Sequence, residues 1–481
     1  MKNQNYNTYL CSLDFKRKHM NLRVSLFITL MFTSIILFAQ KKTNYEIGIS
    51  SAIGKDNTLP FWLHSNKDGI IPSHGFAMSD ISLGMNFEEK QSNSFDFMWK
   101  ASGLGYVGNE SKLLLNQAYL GLRWKFINLY LGQKNHASRY DGLSSTNGDL
   151  LYSNNSRAYP QYEISVPEWT DIPFTKGFIA FKGLLSDGIT TDNRYIDNAR
   201  IHHKNLYLRI FKDYKLSASA GLEHYALWAG THPTKGDISG SLSKYIKIFR
   251  IEGDDAGSFG NDEYRLGNHL GSYRFDIYYN DKKFHLNAYY QTIFEDGSGT
   301  RMNNKPDGLY GIFYKNRKRN DAIIQSVVME YYHTSYQGGS IFKEGDHIIG
   351  GRDSYFNHGE YRSGWTHHNR TIGSPLFTTG TIGIANNRFK GFHVGIGGQL
   401  FGFPYKTYLT YTHNYGTYAT PYTSTLNQFS GLVEVNIPLK QLPFKLDVAC
   451  ALDKGELLGD NIGLWLRISK RGVFSSKKSH K

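Results

Sequence analysis

An alternation of apolar and polar residues, with period two and in short runs, constrains this chain more than any other feature. In Phe284-His285-Leu286-Asn287-Ala288-Tyr289-Tyr290-Gln291, the set Phe284, Leu286, Ala288 and Tyr290 is apolar, and the set between, His285, Asn287, Tyr289 and Gln291, is polar. Successive side chains of a strand point to opposite faces, so each such run has one apolar and one polar face. The period recurs at Phe95-Asp96-Phe97-Met98-Trp99-Lys100, Leu206-Tyr207-Leu208-Arg209-Ile210, Val433-Glu434-Val435-Asn436-Ile437 and Phe444-Lys445-Leu446-Asp447-Val448. Short turn clusters (211–215, 280–283, 438–443) alternate with long Gly/Asn/Asp-rich stretches (135–159, 251–270, 296–320, 335–374). Short connections on one side and long ones on the other are the asymmetry of a transmembrane β-barrel. A soluble all-β sandwich or barrel shares the alternation, but a single soluble β domain of this size is unusually large. No helical 3.6-residue period and no internal repeat is read.

Composition agrees. Aromatic residues make up 15% of the 481, with 34 Tyr and 30 Phe beside 49 Gly and only 12 Pro. The mean hydropathy is −0.45, and beyond the N-terminal region no apolar run reaches the length of a spanning helix. About 25 residues per strand and connection give roughly 18 strands, with an even number expected. The fold expected is an all-β, transmembrane, antiparallel outer-membrane β-barrel of about 18 strands.

The chain ends set the address. Residues 24–38, VSLFITLMFTSIILF, are an apolar run preceded by Arg23 and Lys16-Arg17-Lys18 and closed by Leu37-Phe38-Ala39. This is a cleavable export signal, and Met20 already begins a complete one. Three regions are expected: 1–39, an N-terminal extension plus signal peptide; 40–468, the barrel; 469–481, a basic, Ser-rich disordered tail. Cleavage removes five Lys/Arg and one Asp and lowers the net charge from +14 to +10. That excess is spread along the chain, which disfavours nucleic acid and suits anionic glycans or lipid headgroups. Only Cys450 follows the leader, so no internal disulfide forms. In Asn461-Ile462-Gly463-Leu464-Trp465-Leu466-Arg467-Ile468, a polar residue, a Gly two on and later apolar residues resemble the last-strand signal read by the barrel-assembly machinery. The expected location is the outer membrane of a Gram-negative bacterium, with outer-membrane lipid and that machinery as partners.

The candidate functional stretch is 351–377, GRDSYFNHGEYRSGWTHHNRTIGSPLF. It is too polar for a core and too aromatic for a plain solvated loop. Sugars offer hydroxyls and an apolar ring face, which stacked aromatic rings and charged or amide hydrogen bonds meet. The candidate polysaccharide-binding residues are Arg352, Tyr355, Asn357, His358, Tyr361, Arg362, Trp365, His367 and Arg370. Tyr355, Tyr361 and Trp365 would stack, and Arg352, Arg362 and Arg370 would pair acidic groups; Trp365→Ala would then weaken glycan binding without unfolding the barrel. The competing reading is that these groups satisfy one another inside the barrel and plug its lumen. His358, His367, His368 and Glu360 invite a metal reading, but adjacent histidines on a strand point opposite ways. No metal and no cofactor is expected. No nucleophile elbow or phosphate-cradling glycine loop is present, and no enzyme is expected.

Three blocks carry a family resemblance. The first is Leu131-Gly132-Gln133-Lys134, then Gly142-Leu143-Ser144-Ser145 and Arg157-Ala158-Tyr159-Pro160. The second is Val166-Pro167-Glu168-Trp169, Phe174-Thr175-Lys176-Gly177-Phe178, Phe181-Lys182-Gly183, and His202-His203-Lys204-Asn205-Leu206-Tyr207-Leu208-Arg209. The third is Asn357-His358-Gly359-Glu360-Tyr361-Arg362-Ser363-Gly364-Trp365, closing on Arg370-Thr371-Ile372-Gly373-Ser374-Pro375-Leu376. Together they resemble the Wzi family of outer-membrane capsule-assembly proteins. The resemblance implies a closed barrel acting as a non-enzymatic lectin that holds exported capsular polysaccharide at the cell surface. Some members place a periplasmic helical bundle before the barrel; residues 40–80 show no helical period. The alternatives are an outer-membrane pore for sugars or small solutes and an outer-membrane hydrolase.

Overall fold

The structure, a computed structural model, describes residues 42–89, 94–251, 266–295, 297–345, 347–439 and 442–474. The leader expected over 1–39 and the tail beyond Phe474 lie outside the described residues. The chain divides into two compact units, Met1–Tyr45 with Gly472–Lys481, and Glu46–Arg471. In the described part of the first, the Tyr45 and Phe474 rings lie 4.7 Å apart.

One closed antiparallel sheet of eighteen strands forms the wall. The strands are β1 (Thr43–Gly54), β2 (Phe76–Met85), β3 (Phe95–Gly108), β4 (Lys112–Trp124), β5 (Ile127–Gln133), β6 (Pro160–Asp171), β7 (Ile179–Ile189), β8 (Arg200–Ile210) and β9 (Leu216–Trp228). They continue as β10 (Asn268–Asn280), β11 (Phe284–Gln291), β12 (Gly308–Asn316), β13 (Ser326–His333), β14 (Phe389–Leu400), β15 (Phe403–Gly416), β16 (Pro421–Leu439), β17 (Phe444–Gly455) and β18 (Asn461–Phe474). Each pairs with the next, and β1 pairs with β18 to close the barrel. The strand number and the asymmetry of connections are as expected. Strand β12 lies inside the stretch read as the loop 296–320, because its Gly308 and Gly311 and flanking Asn and Lys residues mask its alternation. Strand β18 runs past Ile468 to Phe474, so the wall extends into the expected tail. Short helices also depart from the reading, among them α1 (Phe61–His64), a single turn, and α2 (Leu242–Arg250).

The wall is apolar outside and polar within. On β11, Asn287, Tyr289 and Gln291 are buried in the lumen. The opposite faces of β10, β12 and β13 leave Ile277, Ile312 and Met329 at least half exposed, at 57%, 50% and 55%. At the short-turn rim, Phe178 and Phe211 lie 4.6 Å apart, and Tyr279, Phe284 and Tyr314 follow in a chain. Toward the long-loop rim, Tyr290, Tyr310, Tyr331 and Phe392 form a second chain, with Tyr290–Tyr310 at 4.6 Å and Tyr331–Phe392 at 4.7 Å. An aliphatic band between two aromatic girdles is the exterior that suits a bilayer.

Three long connections fold inward and occupy much of the lumen. Residues 55–75 bring α1, whose Trp62 is buried and donates from Nε1 to Thr410 Oγ1 at 3.2 Å. Residues 134–159 run down to the wall at β10–β15. Their carbonyl at Leu143 accepts from His393 Nε2 at 2.8 Å, and Gln291 binds both Leu150 N and Asp149, at 2.8 and 2.9 Å. Gly395 permits this approach, since a Cβ there would lie 2.2 Å from the Leu143 carbonyl oxygen. The third connection, 334–388, carries the aromatic stretch. Ser153 Oγ donates to Gly373 O at 2.6 Å, and Asp68 N donates to Asn154 O at 2.6 Å, so the three segments clamp one another.

Candidate functional site

Where the inward segments meet the long-loop rim they leave an open cleft of about 680 Å³. Its walls come from residues 58–74 and 368–379, the rim of β3 and β4, and the upper inner faces of β15–β17. Two arginines dominate its charge. Arg370 donates from one terminal nitrogen to His64 O at 3.0 Å and from the other to Ile71 O at 2.7 Å. Arg157 donates from Nε to Gly69 O at 3.5 Å, and its own carbonyl accepts from His367 Nδ1 at 2.9 Å. These partners are carbonyls, so each guanidinium is positioned without being neutralised; neither forms an ion pair with a carboxylate among the described residues. Tyr106 stands with them in the cleft and donates to Glu110 Oε1 at 2.8 Å, and Glu110 also pairs with Lys112 at 2.7 Å.

The electrostatics follow from this crowding. Burial, and then the neighbouring Arg157, pull Arg370 down to about 10, which leaves it charged at neutral pH. Burial also lowers Arg157. His64 is pushed down to about 3 by burial and by Arg370, and His368 to about 4 by burial, His367 and Arg157. Both histidines are neutral at pH 7, so the two arginines supply fixed positive charge while the imidazoles offer neutral hydrogen bonds. With the partly buried ring of Phe61 in the same cleft, two elements that suit an acidic sugar chain are present: cationic forks and an aromatic face.

The nine residues singled out from sequence separate into three groups. Arg370 lines the cleft, and His367 supports it through Arg157, with Nε2 accepting from Thr191 N at 3.2 Å. Arg352 and Arg362 are exposed but lie elsewhere, over the rings of Tyr418 (6.0 Å) and Tyr195 (4.8 Å). The remaining five hold the plug together. Asn357 bridges to Ile384 N and O at 2.8 and 3.0 Å, and His358 Nδ1 accepts from Glu360 N and Tyr361 N, closing a turn. Tyr355 donates to Asp307 Oδ2 (2.9 Å), Tyr361 to Ala229 O (3.2 Å) and Trp365 Nε1 to Leu151 O (2.6 Å). The faces of Tyr355, Tyr361 and Trp365 are covered by protein; at most 2% of any of them is exposed. Of the rings that line the cleft, Phe377 is just as covered, at 1%, and Tyr106 is 6% exposed; Phe61, only partly buried, is the ring left to offer a face. Among the described residues no three His, Cys, Asp or Glu side chains are grouped as a metal site would need.

This burial changes what Trp365→Ala is expected to do. Removing a fully buried Trp costs about 3–5 kcal/mol. The variant should melt or become protease-sensitive in the plug, and its loss of glycan binding should follow that loosening. Trp365→Phe, which keeps most of the ring volume, should recover most of the protection. Equal protease resistance of wild type and Trp365→Ala would refute the packing role.

Arg157, Tyr106 and His64 line the cleft but are not among the nine residues singled out from sequence. Arg157 stands in one of the blocks that carry the family resemblance, which was the available signal.

A family model described as capsule assembly protein Wzi matches residues 50–385. Among solved structures, the chain is similar to the Escherichia coli outer-membrane protein Wzi, a carbohydrate-binding β-barrel involved in group 1 capsule assembly. The TM-score is 0.55 at 13% identity, over 92% of this chain and 87% of that one. Pseudomonas aeruginosa OccK3 (OpdO) and OccK5 (OpdH) align with TM-scores of 0.47 and identities of 11% and 10%, covering 90% and 91% of this chain and 96% and 99% of theirs. A search of curated protein sequences found no match.

Proposed function

The chain belongs to the Wzi family of capsule assembly proteins, and from that premise we propose that it holds exported acidic polysaccharide at the cell surface through the Arg157–Arg370 cleft. It does so as an outer-membrane barrel, exported by a cleaved signal peptide, inserted by the barrel-assembly machinery and embedded in outer-membrane lipid. The observation that carries this is the pair of arginines fixed by carbonyls in an open cleft at the long-loop end, both charged and neither neutralised. A uronate or other acidic unit supplies the missing counter-charge. The role proposed is binding: Glu110 is held by Lys112 and Tyr106, and one oxygen of Asp453 accepts from Phe61 N at 2.9 Å. The three inward segments weigh against a sugar pore.

In a strain lacking the gene, cell-bound polymer should fall several-fold while total exported polymer stays constant. Unchanged retention would overturn the proposal, and the pore reading would then be tested by conductance in a planar bilayer.

A further inference from the structure

In the described part of the connection after β9, residues 229–238 meet the plug, where Lys235 pairs with Glu360 at 3.2 Å, and the stretch that follows lies against the outside of the wall. Helix α2 starts at Ser241, whose Oγ caps Lys244 N, and stops at Ile251, which takes the left-handed conformation at φ 61°. Its Ile248 is fully buried against Ala226, Trp228 and Ala229. Ala226 and Trp228 alternate along β9 with the lumenal Tyr225 and Leu227, so they face outward.

Beneath the helix the outer wall is polar, unlike the band below it. His202 Nδ1 meets Asp187 Oδ1 at 2.9 Å, Tyr245 of α2 donates to Asp187 Oδ2 at 2.9 Å, and His224 Nε2 meets His269 Nδ1 at 2.9 Å. Lys204 Nζ donates to the Phe249 carbonyl. All of these wall residues lie within five positions of the long-loop ends of their strands. Immediately below come exposed Leu206, Leu208 and Leu222, facing the same way. Left uncovered, that polar surface would meet acyl chains, at a cost that rises with depth.

The outer side of α2 is amphipathic. At 3.6 residues per turn, Leu242, Ile246 and Phe249 share one edge and are 74%, 42% and 41% exposed. Lys244 and Lys247 occupy the opposite flank, and Arg250 lies between the two edges. We infer that α2 lies in the plane of the outer membrane surface, its Leu242–Ile246–Phe249 edge in the acyl region and its cationic flank at anionic lipid headgroups, sealing the polar patch of the wall from lipid. Such a helix with an apolar edge and a basic flank is the form that interfacial helices take, and its apolar edge continues the band of the wall below. The inference rests on the membrane-embedded reading above.

The test uses the exported chain with Cys450 replaced by Ser, and single cysteines labelled with the fluorophore NBD. The labelled protein is reconstituted into phosphatidylcholine vesicles containing phosphatidylglycerol. A label at Ile246→Cys or Leu242→Cys should be quenched by a shallow nitroxide lipid at least about threefold more than by aqueous iodide. A label at Leu222→Cys, on the bare wall, should be quenched by a deeper nitroxide. Charge reversal at Lys244, Lys247 and Arg250 to Glu should reduce shallow quenching at Ile246→Cys about twofold or more. Quenching of both helix labels by iodide alone, with Leu222→Cys still quenched by lipid, would overturn the helix proposal and leave the membrane reading standing. Loss of lipid quenching at all positions would overturn both.

Discussion

Glu330→Ala is expected to turn an occluded barrel into a conducting one. The Glu330 carboxylate on β13 is 2% exposed and accepts five hydrogen bonds from Ser144 Oγ (2.5 Å), Ser145 N (3.0 Å), Ser145 Oγ (2.9 Å), Tyr289 OH (2.7 Å) and Tyr332 OH (2.6 Å). Three of these come from the inward segment 134–159 and two from the wall, so this one side chain rivets the segment to the barrel. Removing the acceptor leaves buried hydroxyls and a backbone N–H unpaired, at about 1–3 kcal/mol each. A net loss on the order of 4 kcal/mol is a large fraction of what holds any local structure shut. Gln291 and His393 tether the same segment, so the lumen should open intermittently. In planar bilayers wild type should stay silent, and Glu330→Ala should show stepwise conductance together with new protease cleavage inside 134–159. Glu330→Gln keeps the shape and one full acceptor, and it should leak far less. A silent, protease-resistant Glu330→Ala barrel would show that the rivet is dispensable.

What the sequence disclosed depended on how local each cause is. The alternation in 284–291 is visible because neighbouring side chains alone decide which face meets lipid, and the barrel class and strand number follow from repeating it. Strand β12 escaped because Gly308 and Gly311 remove side chains from the pattern. Helix α2 escaped because its two and a half turns sit in a Gly- and Ser-rich connection, where a short amphipathic pattern is easily overlooked. The 351–377 stretch was legible as unusual but not as buried. Trp365 is covered because Leu151, 214 positions earlier, accepts its indole N–H, and Tyr361 because Ala229, 132 positions earlier, accepts its hydroxyl. A polar, aromatic, Gly-rich segment that plugs a lumen has the same composition as one that grips a ligand. The pairing of Arg157 with Arg370 is likewise a product of two inward segments meeting, which no spacing within either one announces.

The second large effect concerns that pair. Arg157→Ala with Arg370→Ala should abolish most polysaccharide retention while the barrel stays folded. A charge-assisted hydrogen bond is worth about 1.5–3 kcal/mol, so each arginine accounts for roughly a tenfold to hundredfold change in affinity. The two face one cleft, and Arg157 lowers the charge preference of Arg370, so the double variant should lose less than the product of the single losses. Two further readouts separate binding from mere positioning. Wild-type affinity for an acidic polymer should weaken as salt rises, since exposed ion pairs are screened, and the double variant should lose most of that dependence. Arg157→Lys with Arg370→Lys should recover part of the affinity through charge alone, because Lys lacks the planar fork. Arg352→Ala and Arg362→Ala, at exposed positions outside the cleft, serve as the comparison. If those two variants shed the polymer while the double cleft variant retains it, the grip lies on the outer loops and the cleft is a structural seam.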